Sequence, residues 1–158
     1  MKKYLSHAEI LQELEGLLTG HWITDLANTV ALVFQHYQEI NWVGFYLYES
    51  DSKKTEKPAL WLGPFQGLPA CTMIPYGKGV CGKAAVDQKT LLVDDVDQFP
   101  GHIVCDSRSR SEIAVPLISK AQQILGILDV DSAQLARFKS EDLAFFESVV
   151  GILLKANP

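Results

Sequence analysis

At Trp42 the hydrophobic period of this chain switches from helical to strand-like. Before it, Ile10, Leu11, Leu14, Leu17 and Leu18 recur at helical spacing until Gly20 stops the run. A second helix, apolar over much of its surface, is predicted from about Ile23 to Gln38, with Leu26, Val30, Leu32, Val33 and Phe34. From Trp42 to Tyr48 the residues are mostly β-branched or aromatic. Further short strands are predicted over Ala59–Leu62, Ala70–Ile74 and Thr90–Val93, with a short helix over Gly79–Gln88 before the last of them. Ser50–Lys57 reads as a polar hairpin tip. Glu112–Ile118 and Ile124–Val130 form a hairpin around Ser119–Gln123. Ser140-Glu141-Asp142 caps a closing helix to about Lys155, with its acids at the positive end of the dipole. Consecutive strands with short links pair antiparallel. The reading is therefore an α+β fold: six antiparallel strands flanked by N-terminal and C-terminal helices.

No linker, repeat or low-complexity segment divides the 158 residues, so residues 1–158 read as a single domain. A chain of this size buries roughly 70% of its unfolded surface and needs neither disulfide nor metal to fold. The net charge is -5 and no Lys/Arg cluster appears, which speaks against nucleic acid as a partner. The start, Met1-Lys2-Lys3-Tyr4, resembles a signal peptide, but His7, Glu9, Glu13 and Glu15 interrupt any apolar core region. No apolar run approaches the length of about 18 residues that a membrane span requires. The expected address is the cytosol.

In that compartment the three cysteines, Cys71, Cys81 and Cys105, are not a structural disulfide framework. They are core residues, metal ligands or redox groups. Cys105 sits in the long loop Asp94–Arg110, a poor place to hide a thiol, with His102, Arg108 and Arg110 near in sequence to favour the thiolate. Cys81 falls in the first turn of the predicted short helix, where the dipole lowers a thiol pKa. Cys71 opens the strand predicted after Pro69-Ala70. Among the acids, Asp129 and Asp131 alternate with apolar residues and so share one strand face, and Glu112 begins the partner strand. The simple alternative is a solvated face. Acids gathered on one face repel unless a cation or a shared proton joins them, and a substrate ammonium would serve. Trp42 is either sheet core or an N–H donor in a pocket wall.

Two motifs point elsewhere. Gly77-Lys78-Gly79-Val80-Cys81-Gly82 satisfies G-x-G-x-x-G, but it lies mid-chain without a doubly wound sheet around it, so no dinucleotide cofactor is expected. Its backbone amides suit an anion such as a substrate carboxylate. Cys71, Cys81, His102 and Cys105 lack the close cysteine pairs of structural zinc sites, and no resident metal is expected.

These segments resemble the free methionine-(R)-sulfoxide reductases, a GAF-domain family. The resemblance runs through Ile40–Tyr46, Leu62–Gly67 with Ala70-Cys71, Gly77–Gly82, Gly101–Ile103 with Cys105-Asp106, Ser111–Ile113 and Leu128–Ser132. It spans nearly the whole length and is weakest over the first 20 residues. This chain departs by a longer tip at Ser50–Ala59 and one extra residue near Ala121–Gln123. The resemblance implies that Cys105 is the nucleophile, Cys71 the resolving thiol and Cys81 an auxiliary or alternative disulfide partner. It implies that Trp42, Glu112, Asp129 and Asp131 line the substrate pocket. It also implies thioredoxin as reductant, a six-stranded antiparallel sheet, and a chain often paired as a homodimer. On this reading Glu112 or Asp131 supplies a proton to the sulfoxide oxygen, and the Trp42 N–H polarises the S–O bond. Two rival readings are a GAF module that binds a small-molecule signal and a thiol-based oxidant sensor. The first leaves the cysteines unexplained, and the second leaves the acids unexplained.

Overall fold

A computed structural model describes residues 4–50 and 57–157 of the chain. Most of the polar tip expected at Ser50–Lys57, and the start Met1-Lys2-Lys3, lie outside the described residues. The helical pattern before Trp42 becomes α1 (His7–Leu17) and α2 (Trp22–His36). Ser6 opens α1 with a reciprocal capping box to Glu9. Buried Asp25 joins the two helices by accepting from the backbone N–H groups of Thr19 and Gly20 at 2.8 and 2.9 Å. Leu17 and Phe34, part of the apolar patterns, are exposed. Leu17 is the last residue of α1, and Phe34 lies on the flank of the stripe that buries Val30 and Val33.

Six strands follow: β1 (Trp42–Glu49), β2 (Ala59–Gln66), β3 (Met73–Pro75), β4 (Leu91–Val93), β5 (Ser111–Ile118) and β6 (Ile124–Ser132). They form one sheet in the order β3-β2-β1-β6-β5-β4, antiparallel at every pairing. Helix α3 (Gly79–Asp87) lies between β3 and β4, and α4 (Ser140–Ala156) closes the chain. Its cap differs from the sequence reading: Lys139 is the capping position, and Asp142 accepts from its backbone N–H at 2.7 Å.

Strand β2 is longer than the expected Ala59–Leu62. Beyond Trp61 it has lost β3 as a neighbour, so Pro64 sits on a free edge where no ladder N–H is missed. Strand β3 is shorter than expected and begins after Cys71, which therefore stands off the ladder.

Strand alternation sends Val43, Phe45, Ile113, Val115, Leu128 and Val130 into a core with α1, α2 and α4. The other face carries Trp42, Tyr46, Ala114 and Ile127 against Val80, Cys81, Ala84 and Ala85 of α3. Gly44 is required on that second face. The Trp42 ring folds across it and stacks on Phe65, and a Cβ there would lie 2.6 Å from the Phe65 Cβ. Gly44→Ala is expected to cost ~2 kcal/mol, because overpacking forces the ring out of place. Urea unfolding measures this, and an unchanged midpoint would show that the ring has room to move.

Candidate active site

Register builds the site. Strand β6 runs between β1 and β5, so Asp131 stands opposite both Trp42 and Glu112, while Asp129 stands opposite both Gly44 and Ala114. The alternation that buries Ile113 and Val130 among the helices turns Glu112, Asp129 and Asp131 together towards α3. Glu112 is 6% exposed and Asp129 7%, and Asp131 is less covered. With Cys81, Cys105 and the first turn of α3, these acids line a cavity of about 30 Å³, space for roughly one water molecule.

So close a group of acids holds its protons. Burial, then the charge of Asp131, pushes Glu112 up to about 8. Burial also raises Asp129 well above the usual carboxylate range, with Glu112 adding to it, and raises Asp131, with Asp129 and Asp106 adding to it. The Asp129 Oδ1 is buried and receives no hydrogen bond among the described residues.

A group that titrates near 8 when folded and 4.5 when free has a definite linkage sign. The native chain keeps the Glu112 proton across that interval and the unfolded chain releases it. Stability is therefore greatest on the acid side and falls as pH rises through the interval, with ~5 kcal/mol as the ceiling for this group. Glu112→Gln keeps the shape and has no proton to lose. Its thermal midpoint should depend less on pH than that of the wild type, and equal slopes would show that Glu112 is ionised in the fold.

The Cys81 Sγ lies 3.6 Å from the Glu112 Oε1. Its position in the first turn of α3 does not lower its pKa. Burial, then Asp129 and Glu112, raises the thiol well above its ordinary value, which outweighs the helix dipole. Gly79 starts α3 with φ +63° and packs against Ile103 of the long loop, a backbone that few other residues adopt.

Cys71 and Cys105 form a disulfide with Cα atoms 5.1 Å apart. It ties the segment before β3 to the long loop, and the Cys71 carbonyl accepts from the Tyr46 hydroxyl at 2.9 Å. Two of the three basic groups expected near Cys105 do not offer it free charge. The Arg108 Nη2 donates to the Asp106 Oδ2 at 2.8 Å, and burial holds His102 towards its neutral form. Arg108, foremost, holds Asp106 at about 2.

Trp42 packs in the core on the α3 face of the sheet. It is 1% exposed, its N–H donates to the Leu68 carbonyl at 3.0 Å, and it is not among the residues lining the cavity. Its ring stacks against Tyr46 and Phe65.

Asn41, Asp106 and Ser109 were not singled out from the sequence. The Asn41 Nδ2 donates to the Asp106 Oδ2 and to the Ser109 Oγ, both at 3.1 Å, and so ties the Cys105 loop to the start of β1. Asp106-Ser107-Arg108 is legible as a side-chain turn, with the Asp106 Oδ1 accepting from the Arg108 N–H at 2.9 Å. The Asn41 contact spans 65 residues and leaves no local signal.

The fold thus sets a joined thiol pair beside a buried acidic cavity on an α+β sheet. Residues 23–154 match the GAF domain family. The chain is 41% identical to the free methionine-R-sulfoxide reductase of Saccharomyces cerevisiae, over 96% of this chain and 88% of that one. It superposes with TM-score 0.88 on fRMsr of Staphylococcus aureus in its reduced form, at 41% identity over 97% of this chain and 96% of that one. It superposes equally well, TM-score 0.88 and 39% identity over 99% and 94%, on the free methionine-R-sulfoxide reductase of Neisseria meningitidis in complex with its substrate. The chain belongs to the free methionine-R-sulfoxide reductases, a family of GAF-domain oxidoreductases. Among the described residues no helix is long and apolar enough to cross a membrane.

Proposed function

We infer that this chain reduces free methionine (R)-sulfoxide to methionine, with Cys105 as nucleophile, Cys71 as resolving thiol and thioredoxin as reductant in the cytosol. The observation that carries this reading is the Cys71–Cys105 pair beside three proton-holding acids in one cavity. The Cys105 thiolate attacks the sulfoxide sulfur. Glu112, with a pKa near 8, donates a proton to the oxygen. The oxygen ends on Cys105 as a sulfenic acid and the thioether leaves, so the sulfoxide gains the two electrons that the thiol loses. Cys71 condenses with the sulfenic acid, releasing water and forming the disulfide, and a dithiol partner then reduces it by exchange. A free amino acid suits the site at both ends. Its ammonium satisfies the acids, including the Asp129 Oδ1, and its carboxylate meets the first-turn N–H groups of α3 at Gly79–Cys81, which no intrahelical carbonyl can take.

In the disulfide form the cavity has space for about one water, so the substrate enters only after reduction lets the Cys105 loop move. The experiment is a coupled assay with thioredoxin, its reductase and NADPH. Consumption that depends on free methionine (R)-sulfoxide supports the reading. Consumption absent with the free amino acid, or equal with peptide-bound sulfoxide, overturns it. Pairing as a homodimer belongs to the same reading and is tested by sedimentation.

A further inference from the structure

We propose that Cys81, Glu112 and Asp129 form a site for a zinc ion, which blocks the cavity against substrate. Their ligand atoms, the thiol sulfur and one oxygen from each carboxylate, all lie within 4.8 Å of one another, and all three residues are buried. In a tetrahedral zinc site with Zn–S near ~2.3 Å and Zn–O near ~2.0 Å, sulfur and oxygen are separated by about 3.5 Å. The Cys81 Sγ and the Glu112 Oε1 are 3.6 Å apart. The Asp129 carboxyl shares hydrogen bonds with Glu112 and Cys81, yet its Oδ1 is buried and has no donor among the described residues. An acceptor left in that state destabilises the fold, and a cation removes the penalty.

In the disulfide form, size favours an ion over an amino acid. The cavity beside the cluster has space for about one water, which is what an open zinc site with three protein ligands keeps in its fourth position. A thiolate with two carboxylates suits zinc better than magnesium or calcium, which take oxygen ligands. Binding displaces the Cys81 proton and any proton held by the two carboxyls, so it strengthens as pH rises. The ion then neutralises the charges that would otherwise receive an ammonium. The binding site stands on the geometry alone. Its effect on turnover rests on the reductase reading above.

The disulfide form isolates the site for testing. With Cys71 and Cys105 joined, Cys81 is the one remaining thiol of the three cysteines. Cadmium, which reports thiolate ligation by an ultraviolet charge-transfer band, is titrated into oxidised protein in mildly alkaline buffer. The expected result is a band that saturates at one ion per chain and is bleached by zinc. Cys81→Ser should abolish the band. Asp129→Asn and Glu112→Gln should each weaken binding by at least about tenfold, the effect that even outer-shell partners have. If Cys81→Ser does not fold, the two carboxyl variants carry the test. Absence of the band overturns the proposal, and so does a band whose affinity both carboxyl variants leave unchanged, since that marks a lone thiol. A second measurement follows methionine release from pre-reduced enzyme in a single turnover. Zinc should slow it competitively with the sulfoxide, and a chelator should restore it. If the band forms and zinc does not compete with the sulfoxide, the blocking role is overturned while the ion site stands. If the band forms and no methionine is released even without zinc, the reductase reading fails and the ion site stands.

Discussion

Cys105→Ser is expected to abolish turnover, lowering the steady-state rate by at least ~1,000-fold, as removal of a covalent nucleophile does. The reason lies in the position of the sulfur. Cys105 lines the cavity with Glu112, Asp129 and Asp131, whereas Cys71 joins it from the segment before β3 and is absent from the lining. Of the two joined sulfurs, only Cys105 belongs to a residue on the cavity wall, and it is the one assigned the attack. A serine hydroxyl at this position is a far weaker nucleophile towards sulfur and forms no disulfide afterwards. The fold should be unaffected, because the loop is held independently by Asn41, Asp106 and Ser109. The measurement is NADPH consumption with thioredoxin, alongside a thermal melt under reducing conditions that compares folded wild type and variant. Normal steady-state activity in Cys105→Ser would place the nucleophile elsewhere.

Cys71→Ser should separate the two halves of the reaction. The first half needs Cys105 and the acids alone, so about one methionine should be released per chain. The second half needs a thiol within reach of Cys105, and cycling driven by thioredoxin should stop. Cys81 also lines the cavity, but it is buried and its thiol is held protonated beside Glu112, so it resolves slowly at best. The check is a rapid-quench count of methionine against enzyme, followed by the coupled assay. Sustained cycling by the Cys71→Ser variant that stops in the Cys71→Ser/Cys81→Ser double variant would transfer the resolving role to Cys81. Sustained cycling by the double variant would remove both residues from it.

Both experiments act on a site that was partly legible before the fold was known. Leu128-Asp129-Val130-Asp131 announces two acids on one strand face, since side chains alternate with a period of two. The sheet bears this out: Val130 packs with α2 and α4 while Asp129 faces α3. The helices before Trp42 and the hairpin β5–β6 were legible for the same reason, because local periodicity records which side of an element is covered. The length of β2 was not legible. The expected strand stops at Leu62, and the loss of β3 as a neighbour beyond Trp61 lets it run on through Pro64 on an edge.

The chemistry of single groups divides in the same way. The first-turn position of Cys81 suggested a lowered thiol pKa, and His102 and Arg108 suggested a charged setting for Cys105. Long-range packing reverses the first, because three acids from two strands distant in sequence surround Cys81, while a neighbour two residues away, Asp106, takes the Arg108 guanidinium. For Trp42 the sequence leaves sheet core and pocket donor open, and the partner of its N–H, the Leu68 carbonyl 26 residues away, is set by the fold. What the order of residues determined by itself is the alternation, the turn chemistry, the supply of three thiols and the placing of Asp129 and Asp131 on one strand face, because each depends on the residues present or on neighbours within a few positions. What tertiary structure alone decided is which groups meet and at what protonation. Burial and charge act through space, and the strand order β1-β6-β5 brings residues 42, 112 and 131 together from far apart along the chain.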